Sequence, residues 1–137
     1  NKEDGLDYRD YPAGTPAYYV ELGCVGRNNG YADDNDNART GHDGAFALLV
    51  NGTYSGSVGR NVHNIDTSKV WALNCESYDS NAVAGAANSN FVTGGTMWLD
   101  SCESHDSTND LDVQAGGSMY IRNLTSGGVF VGTPVGY

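Results

Sequence analysis

The chain is short of basic residues. Seven Lys and Arg stand against 17 Asp and Glu in 137 residues, which gives a formal net charge of −10 at pH 7. This balance argues against binding of nucleic acid or of an anionic membrane surface through bulk electrostatics. It does not exclude an anionic ligand held by a local basic site.

Cysteine and long apolar runs are also scarce. The three cysteines, Cys24, Cys75 and Cys102, show no Cys-x-x-Cys spacing, so a zinc site is not indicated. We expect them in the core as small hydrophobes, which fits assembly in a reducing cytosol, although a Cys75–Cys102 disulfide is sterically conceivable. No apolar run is long enough for a membrane span or a signal peptide, and we expect no membrane insertion.

What the sequence does contain is a repeat. Five hydrophobic pairs are separated by 26, 25, 26 and 22 residues: Val20/Leu22, Phe46/Leu48, Trp71/Leu73, Met97/Leu99 and Met119/Ile121. A period of roughly 20 to 50 residues is typical of a solenoid, and a spacing of two within each pair is the periodicity of a strand. We therefore predict an all-β fold, a right-handed parallel β-helix of about five coils of 22–26 residues, with these pairs facing inward.

A further inward position follows each apolar pair and also recurs from coil to coil, but its distance from the pair changes. Cys24, Val50 and Cys75 follow the preceding leucine by two residues, whereas Cys102 and Leu124 lie three residues beyond Leu99 and Ile121. A bulge or sharp bend between two short strands would absorb the added residue.

The chain reads as a single domain. We predict a turn-rich entry segment at 1–17, stacked coils at 18–128 and a strand-like tail at 129–137 that continues into a missing or partner segment. A solenoid needs polar capping units, and neither end of this sequence resembles one. We therefore expect a longer chain, or ends protected by other subunits.

Short motifs along nearly the whole chain carry a family resemblance: Asp4–Arg9, Glu21–Gly30, His42–Gly44, Val50–Tyr54, Asn61–Asp66 and Lys69–Cys75. They resemble the distal β-helix of bacteriophage tailspike and tail-fibre proteins, within the pectin-lyase-like group. The resemblance implies a homotrimer on the virion tail that recognises, and often cleaves, capsular polysaccharide, O-antigen or exopolysaccharide. It carries over no catalytic residue, because the family has no fixed catalytic motif that matches here.

Two acidic pairs occupy equivalent positions of neighbouring coils: Glu76/Asp79 and Glu103/Asp106. Stacking would place these four carboxyls on one patch, and glycoside hydrolysis uses two carboxyls about 5 to 9.5 Å apart. They are the candidate catalytic residues, with a solvated acidic turn as the alternative. His63, with Asp66, is a candidate base, because histidine titrates near neutral pH. His105 and Asp106 are adjacent in sequence and should point to opposite faces of a strand, so we do not expect them to form a catalytic pair.

Carboxylates also cluster between residues 33 and 37. Asp33, Asp34 and Asp36 supply hard oxygen donors that suit calcium, without the glycine and glutamate of an EF-hand loop. We expect no cofactor, with calcium at this loop as the alternative; a solvated loop explains the same residues.

Aromatic residues give the clearest surface feature. If Met97 and Leu99 face inward, Trp98 and Tyr120 face outward from neighbouring coils and should stack, with Ala47 and Ala72 as their equivalents in earlier coils. Exposed rings suit the faces of sugars and equally suit a subunit interface.

Two arginines add a possible anion clamp. Arg27 and Arg60 lie in turns rich in asparagine and glycine, where a guanidinium could hold a uronate or sialate carboxylate.

Three functions remain open. The first is a β-helix of a phage tailspike or tail fibre, located on the virion tail, that binds and in some cases depolymerises host surface polysaccharide. The second is a secreted, extracellular and monomeric polysaccharide lyase or glycoside hydrolase. The third is a structural fibre segment without activity.

Overall fold

The computed structural model describes residues 6–9, 17–29, 36–41, 44–80 and 89–137. These residues form 17 strands: β1 (Leu6–Arg9), β2 (Tyr18–Leu22), β3 (Val25–Arg27), β4 (Ala38–Gly41), β5 (Phe46–Val50), β6 (Thr53–Ser55), β7 (Arg60–Asn64), β8 (Lys69–Leu73), β9 (Glu76–Tyr78), β10 (Ser89–Thr93), β11 (Thr96–Asp100), β12 (Glu103–His105), β13 (Asn109–Val113), β14 (Ser118–Arg122), β15 (Thr125–Ser126), β16 (Phe130–Val131) and β17 (Val135–Gly136). Within the described ranges, no helix has the length and apolar character needed to cross a membrane.

The strands form three parallel sheets. Sheet A contains β1, β4, β7, β10, β13 and β16; sheet B contains β2, β5, β8, β11, β14 and β17; sheet C contains β3, β6, β9, β12 and β15. Each strand therefore pairs with the strand three places later, so one coil consists of three strands. The first fifteen strands make five coils, and the last two begin a sixth. The predicted right-handed parallel β-helix is confirmed.

The predicted inward register is wrong in the first three coils. Inside sheet B lie Ala47, Leu49, Val70, Ala72, Met97, Leu99 and Met119, all buried. In contrast, Val20, Leu22, Trp71 and Leu73 are 63%, 72%, 40% and 37% exposed, and Phe46 and Leu48 are half-buried on the outer face. The error arose because β5 is apolar at every position, and β8 at every position but its first, so alternation cannot tell their two faces apart. The prediction holds for the last two pairs: Met97, Leu99 and Met119 are buried, and Ile121 is partly buried against the core.

The inward positions at the turn from sheet B to sheet C stack in register, without the predicted change of spacing between coils. Register places Gly52, not Val50, between Cys24 and Cys75, followed by Cys102 and Leu124. A Cβ at Gly52 would lie 2.6 Å from the Tyr54 ring, so this ring takes the space of a side chain there. Cys75 and Cys102 lie in the core as predicted, whereas Cys24 is half-buried.

A left-handed residue replaces the expected bulge. It recurs at the turn from sheet B to sheet C in every coil, with φ between 52° and 63°: Gly23, Asn51, Asn74, Ser101 and Asn123. Glycine and asparagine adopt this conformation at low cost, so a constant corner joins the two sheets.

Buried asparagines bridge the coils at the start of sheet A. Asn37 Nδ2 donates to Asn61 Oδ1 at 2.8 Å, and Asn61 Nδ2 donates to Asn90 Oδ1 at 3.1 Å. Asp110 occupies the equivalent position in the next coil. These residues, the asparagine ladder, satisfy buried polar groups at the turn from sheet C to sheet A. Their only sequence signal is weak: each asparagine directly precedes the apolar residue of its strand.

Candidate functional site

The outer face of sheet B carries a line of aromatic rings. Trp71 and Trp98 are register partners with ring centroids 6.4 Å apart at 46°, and Trp98 stacks on Tyr120 at 5.9 Å and 17°. Tyr137 meets Tyr120 edge-on at 6.5 Å. The predicted stacking of Trp98 and Tyr120 is confirmed. The prediction that Ala47 and Ala72 are their outward equivalents is wrong, because Leu48 and Trp71 occupy those positions and both alanines lie in the core.

A cleft of about 460 Å³ opens on this face. Its walls, which we call the aromatic cleft, are Phe46, Lys69, Trp71, Trp98 and Tyr137. Lys69 is exposed and is the charged residue of the five; no ion-pair partner for its ammonium group is found in the described part of the chain.

One ion pair borders the aromatic rings. The Arg122 guanidinium donates to Asp100 Oδ2 and lies 5.0 Å from the centroid of the Tyr137 ring. The hydrogen bond from Arg122 lowers the pKa of the Asp100 carboxyl, and burial raises the pKa of Tyr137. This carboxylate is therefore committed to Arg122 and offers little repulsion to an incoming anion.

The other end of the same face is aliphatic. Val20 pairs in register with Leu48, and Leu22 pairs with Val50 and then Leu73. We call these five residues the aliphatic patch. Contiguous exposed apolar surface of this kind marks a contact with a partner more often than a solvated surface.

The predicted acidic residues meet on sheet C. Glu76 and Glu103 are register partners at the starts of β9 and β12. Both line a second cleft, of about 310 Å³, whose walls are Asn51, Gly52, Thr53, Asn74, Cys75, Glu76 and Glu103. Asp79 and Asp106 lie at the following turn in the left-handed region, with φ of 53° and 55°.

His105 links these groups. Its Nδ1 lies 2.8 Å from Asp106 Oδ2 and its Nε2 lies 3.2 Å from Glu76 Oε1, while its ring stacks on Tyr78 at 5.1 Å and 3°. The expectation that His105 and Asp106 point apart is wrong, because the left-handed φ of Asp106 turns its carboxylate back toward the ring. The hydrogen bonds to Asp106 and then Glu76 raise the pKa of His105. An imidazole donates from both nitrogens only when it is protonated, so the two neighbouring carboxylates favour the protonated form of His105.

Glu76, Glu103 and His105 each have one atom able to ligate a metal ion, and these three atoms lie within 4.8 Å of one another. The direct repeat of Cys-Glu-Ser in the two coils was the signal that Glu76 and Glu103 would stack, and nothing local indicated His105.

His63 has a different partner from the predicted one. Its Nδ1 lies 2.9 Å from Asp36 Oδ2 in a buried pair, whereas Asp66 is a left-handed turn residue. Arg60 lies 3.9 Å from the other oxygen of Asp36. Asp36 is thus a buried ion-pair residue. Asp33 and Asp34, like His42, lie outside the described residues, and a calcium site there stays a prediction.

The two predicted clamp arginines lie on different sheets. Arg27 ends β3 in sheet C and is exposed, and Arg60 begins β7 in sheet A beside Asp36. The structure therefore gives no sign of a shared site for them in the residues that it describes.

The fold and these faces define a parallel β-helix protein, a fold compatible with polysaccharide binding. Comparison of the chain with protein-family models, with curated proteins and with solved structures gives no match in any of the three.

Proposed function

We propose that this chain is the polysaccharide-recognising β-helix of a phage tailspike or tail fibre, located on the virion tail, and that it binds a host surface glycan along sheet B. The observation that carries the proposal is the ring line Trp71, Trp98 and Tyr120 on three successive strands. Strands in a sheet lie about 4.8 Å apart, so the rings follow one another along the helix axis. Ring faces of this kind pack against the apolar faces of sugars, and the polar ring edges reach their hydroxyls.

Binding is tested by titrating the chain with a panel of bacterial capsular polysaccharides, O-antigens and exopolysaccharides and following tryptophan fluorescence. We expect saturable binding to at least one glycan, and a loss of at least about tenfold in affinity for Trp98→Ala, corresponding to about 1.4 kcal/mol. The control is Phe130→Ala, which removes an exposed ring from sheet A. Equal losses for both variants, or no binding across the panel, would contradict the proposal.

Cleavage of the bound glycan is a further part of the proposal, with Glu76 and Glu103 as the acids. Their closest oxygens lie within 4.8 Å, and retaining glycosidases place two carboxyl groups about 5 to 5.5 Å apart. The assay follows new reducing ends for hydrolysis and the absorbance of an unsaturated uronate for lyase chemistry. We expect Glu76→Gln and Glu103→Gln to abolish product while Asp66→Asn retains it. A glycan bound but left intact by the wild type would restrict the function to recognition.

We also propose that the aliphatic patch joins copies of the chain in a homotrimer. Among the described residues, the outer face of sheet B bears a single carboxylate, Asp100, which is paired with Arg122. An acidic chain can therefore associate through the aliphatic patch with little electrostatic repulsion. Sedimentation equilibrium should give the mass of a trimer for the wild type and of a monomer for Leu22→Glu. A monomeric wild type would favour the secreted lyase or hydrolase, and a trimer that binds no glycan would favour a structural fibre segment.

A further inference from the structure

We propose that the aromatic cleft is a subsite for an acidic sugar, with the sugar ring on Trp71 and Trp98 and its carboxylate on the Lys69 ammonium group. This inference rests on the proposed glycan binding and names the class of sugar that sheet B takes: a uronate or another carboxylate-bearing sugar.

The charge of the cleft carries the first step. Lys69 belongs to a chain with a net charge of −10, yet among the described residues no carboxylate pairs with it. The nearest acidic register position on this face, Asp100, is held by Arg122. An ammonium group without a carboxylate partner among the described residues creates a local positive field at the cleft. That field favours an anion over a neutral ligand.

The shape of the cleft carries the second step. The indoles of Trp71 and Trp98 are tilted by 46°, so the two rings form adjoining walls and not one flat surface. Tyr137 adds a further wall. The volume of about 460 Å³ falls within the range of roughly 300–1,000 Å³ typical of small-molecule sites. Apolar walls with one charged group suit a sugar whose faces are apolar and whose single charge lies at one edge.

Register explains why the ammonium and the indoles meet. Lys69 and Trp71 are two residues apart on β8, so both side chains point outward from sheet B, and Trp98 is the partner of Trp71 on the next strand. Phe46 pairs with Lys69 from the preceding strand and adds apolar surface beside it. The arrangement is built on strands, which hold side chains more rigidly than loops do.

The test uses one oligosaccharide in two forms. The full chain is titrated calorimetrically with an oligogalacturonate and with the same oligomer after reduction of its carboxylates to alcohols, so that linkage and ring shape are matched. We expect at least tenfold tighter binding of the charged form, and a loss of that preference at high salt. Lys69→Gln should remove the preference and Lys69→Arg should retain it. Trp71→Ala should weaken binding of both forms.

The outcomes separate this proposal from the proposed function. If the reduced oligomer binds as tightly as the charged one, or if Lys69→Gln keeps the preference, the acidic-sugar subsite is overturned and glycan binding stands. If neither form binds, the subsite is overturned, and the polysaccharide panel decides whether glycan binding falls with it. An oligosaccharide that carries sulfate groups and no carboxylate, and that binds as tightly as the uronate, would also overturn the assignment to a carboxylate. Circular dichroism of each variant confirms that the exposed substitutions leave the fold intact.

Discussion

Asn61 Nδ2 donates to Asn90 Oδ1 at 3.1 Å, which joins two neighbouring coils through buried side chains. The same amide group donates to Tyr78 O at 2.8 Å, and Asn61 Oδ1 accepts from Asn37. One side chain thus satisfies groups on three coils. This relation explains how a solenoid with few large apolar residues keeps its turns in register.

The first prediction concerns this ladder. Asn61→Ala removes its side-chain bonds and leaves buried polar groups on Asn37 and Asn90 without that partner, so we expect a loss of at least about 2 kcal/mol in the free energy of unfolding. Urea denaturation followed by circular dichroism measures it. The control is Asn109→Ala, which loses a single 3.4 Å bond to Ser89; equal losses for the two variants would show that the ladder does not stabilise the stack.

The second prediction distinguishes the two faces of sheet B. Leu99→Asp places a charge in the fully buried core and should prevent folding. Leu73→Asp should fold, because Leu73 is 37% exposed on the outer face of sheet B. Circular dichroism and the yield of soluble protein measure both. An unfolded Leu73→Asp variant would restore the inward register that the sequence predicted for β8.

The third prediction concerns a buried carboxylate. The Tyr54 hydroxyl donates to Glu21 Oε2 at 2.5 Å, and both side chains are buried. Burial and the charge of Glu21 raise the pKa of Tyr54, so the hydroxyl stays protonated and keeps donating. Tyr54→Phe should cost about 1–3 kcal/mol, because the carboxylate loses its donor. In a Glu21→Gln background the same substitution should cost less; an unchanged cost would mean that the pair is not coupled.

The fourth prediction is a pH dependence at His105. Its pKa is raised above 6.5 by Asp106 and Glu76, so its stabilising contribution is complete below pH 6.5 and is lost as the pH rises through the folded-state value. Since the side chain is 39% exposed, solvent screening should keep the effect below about 1 kcal/mol. Urea denaturation of the wild type and of His105→Gln between pH 5.5 and 8.5 measures it. The two stability curves should converge toward high pH; a constant difference would refute the ion-pair origin.

The sequence predicted the arrangement of the acids better than that of the apolar residues. Glu76 and Glu103 were placed on neighbouring coils because their surrounding residues repeat, and register bears this out. The prediction of which residues of β5 and β8 face inward was wrong, because both faces of these strands are apolar. Amphipathic alternation identifies a core face only when the opposite face is polar.

The sequence by itself determined the class of fold, since a repeated pair of apolar residues two apart can bury its surface only by stacking strand on strand. Only the tertiary structure decided which side faced inward, how the left-handed turn at Asp106 brings its carboxylate to His105, and that Asp36 is the partner of His63. It also decided that Phe46, Lys69 and Tyr137 form one cleft. Such contacts depend on backbone angles and on residues from distant coils, and neither is encoded in a local pattern of residue types.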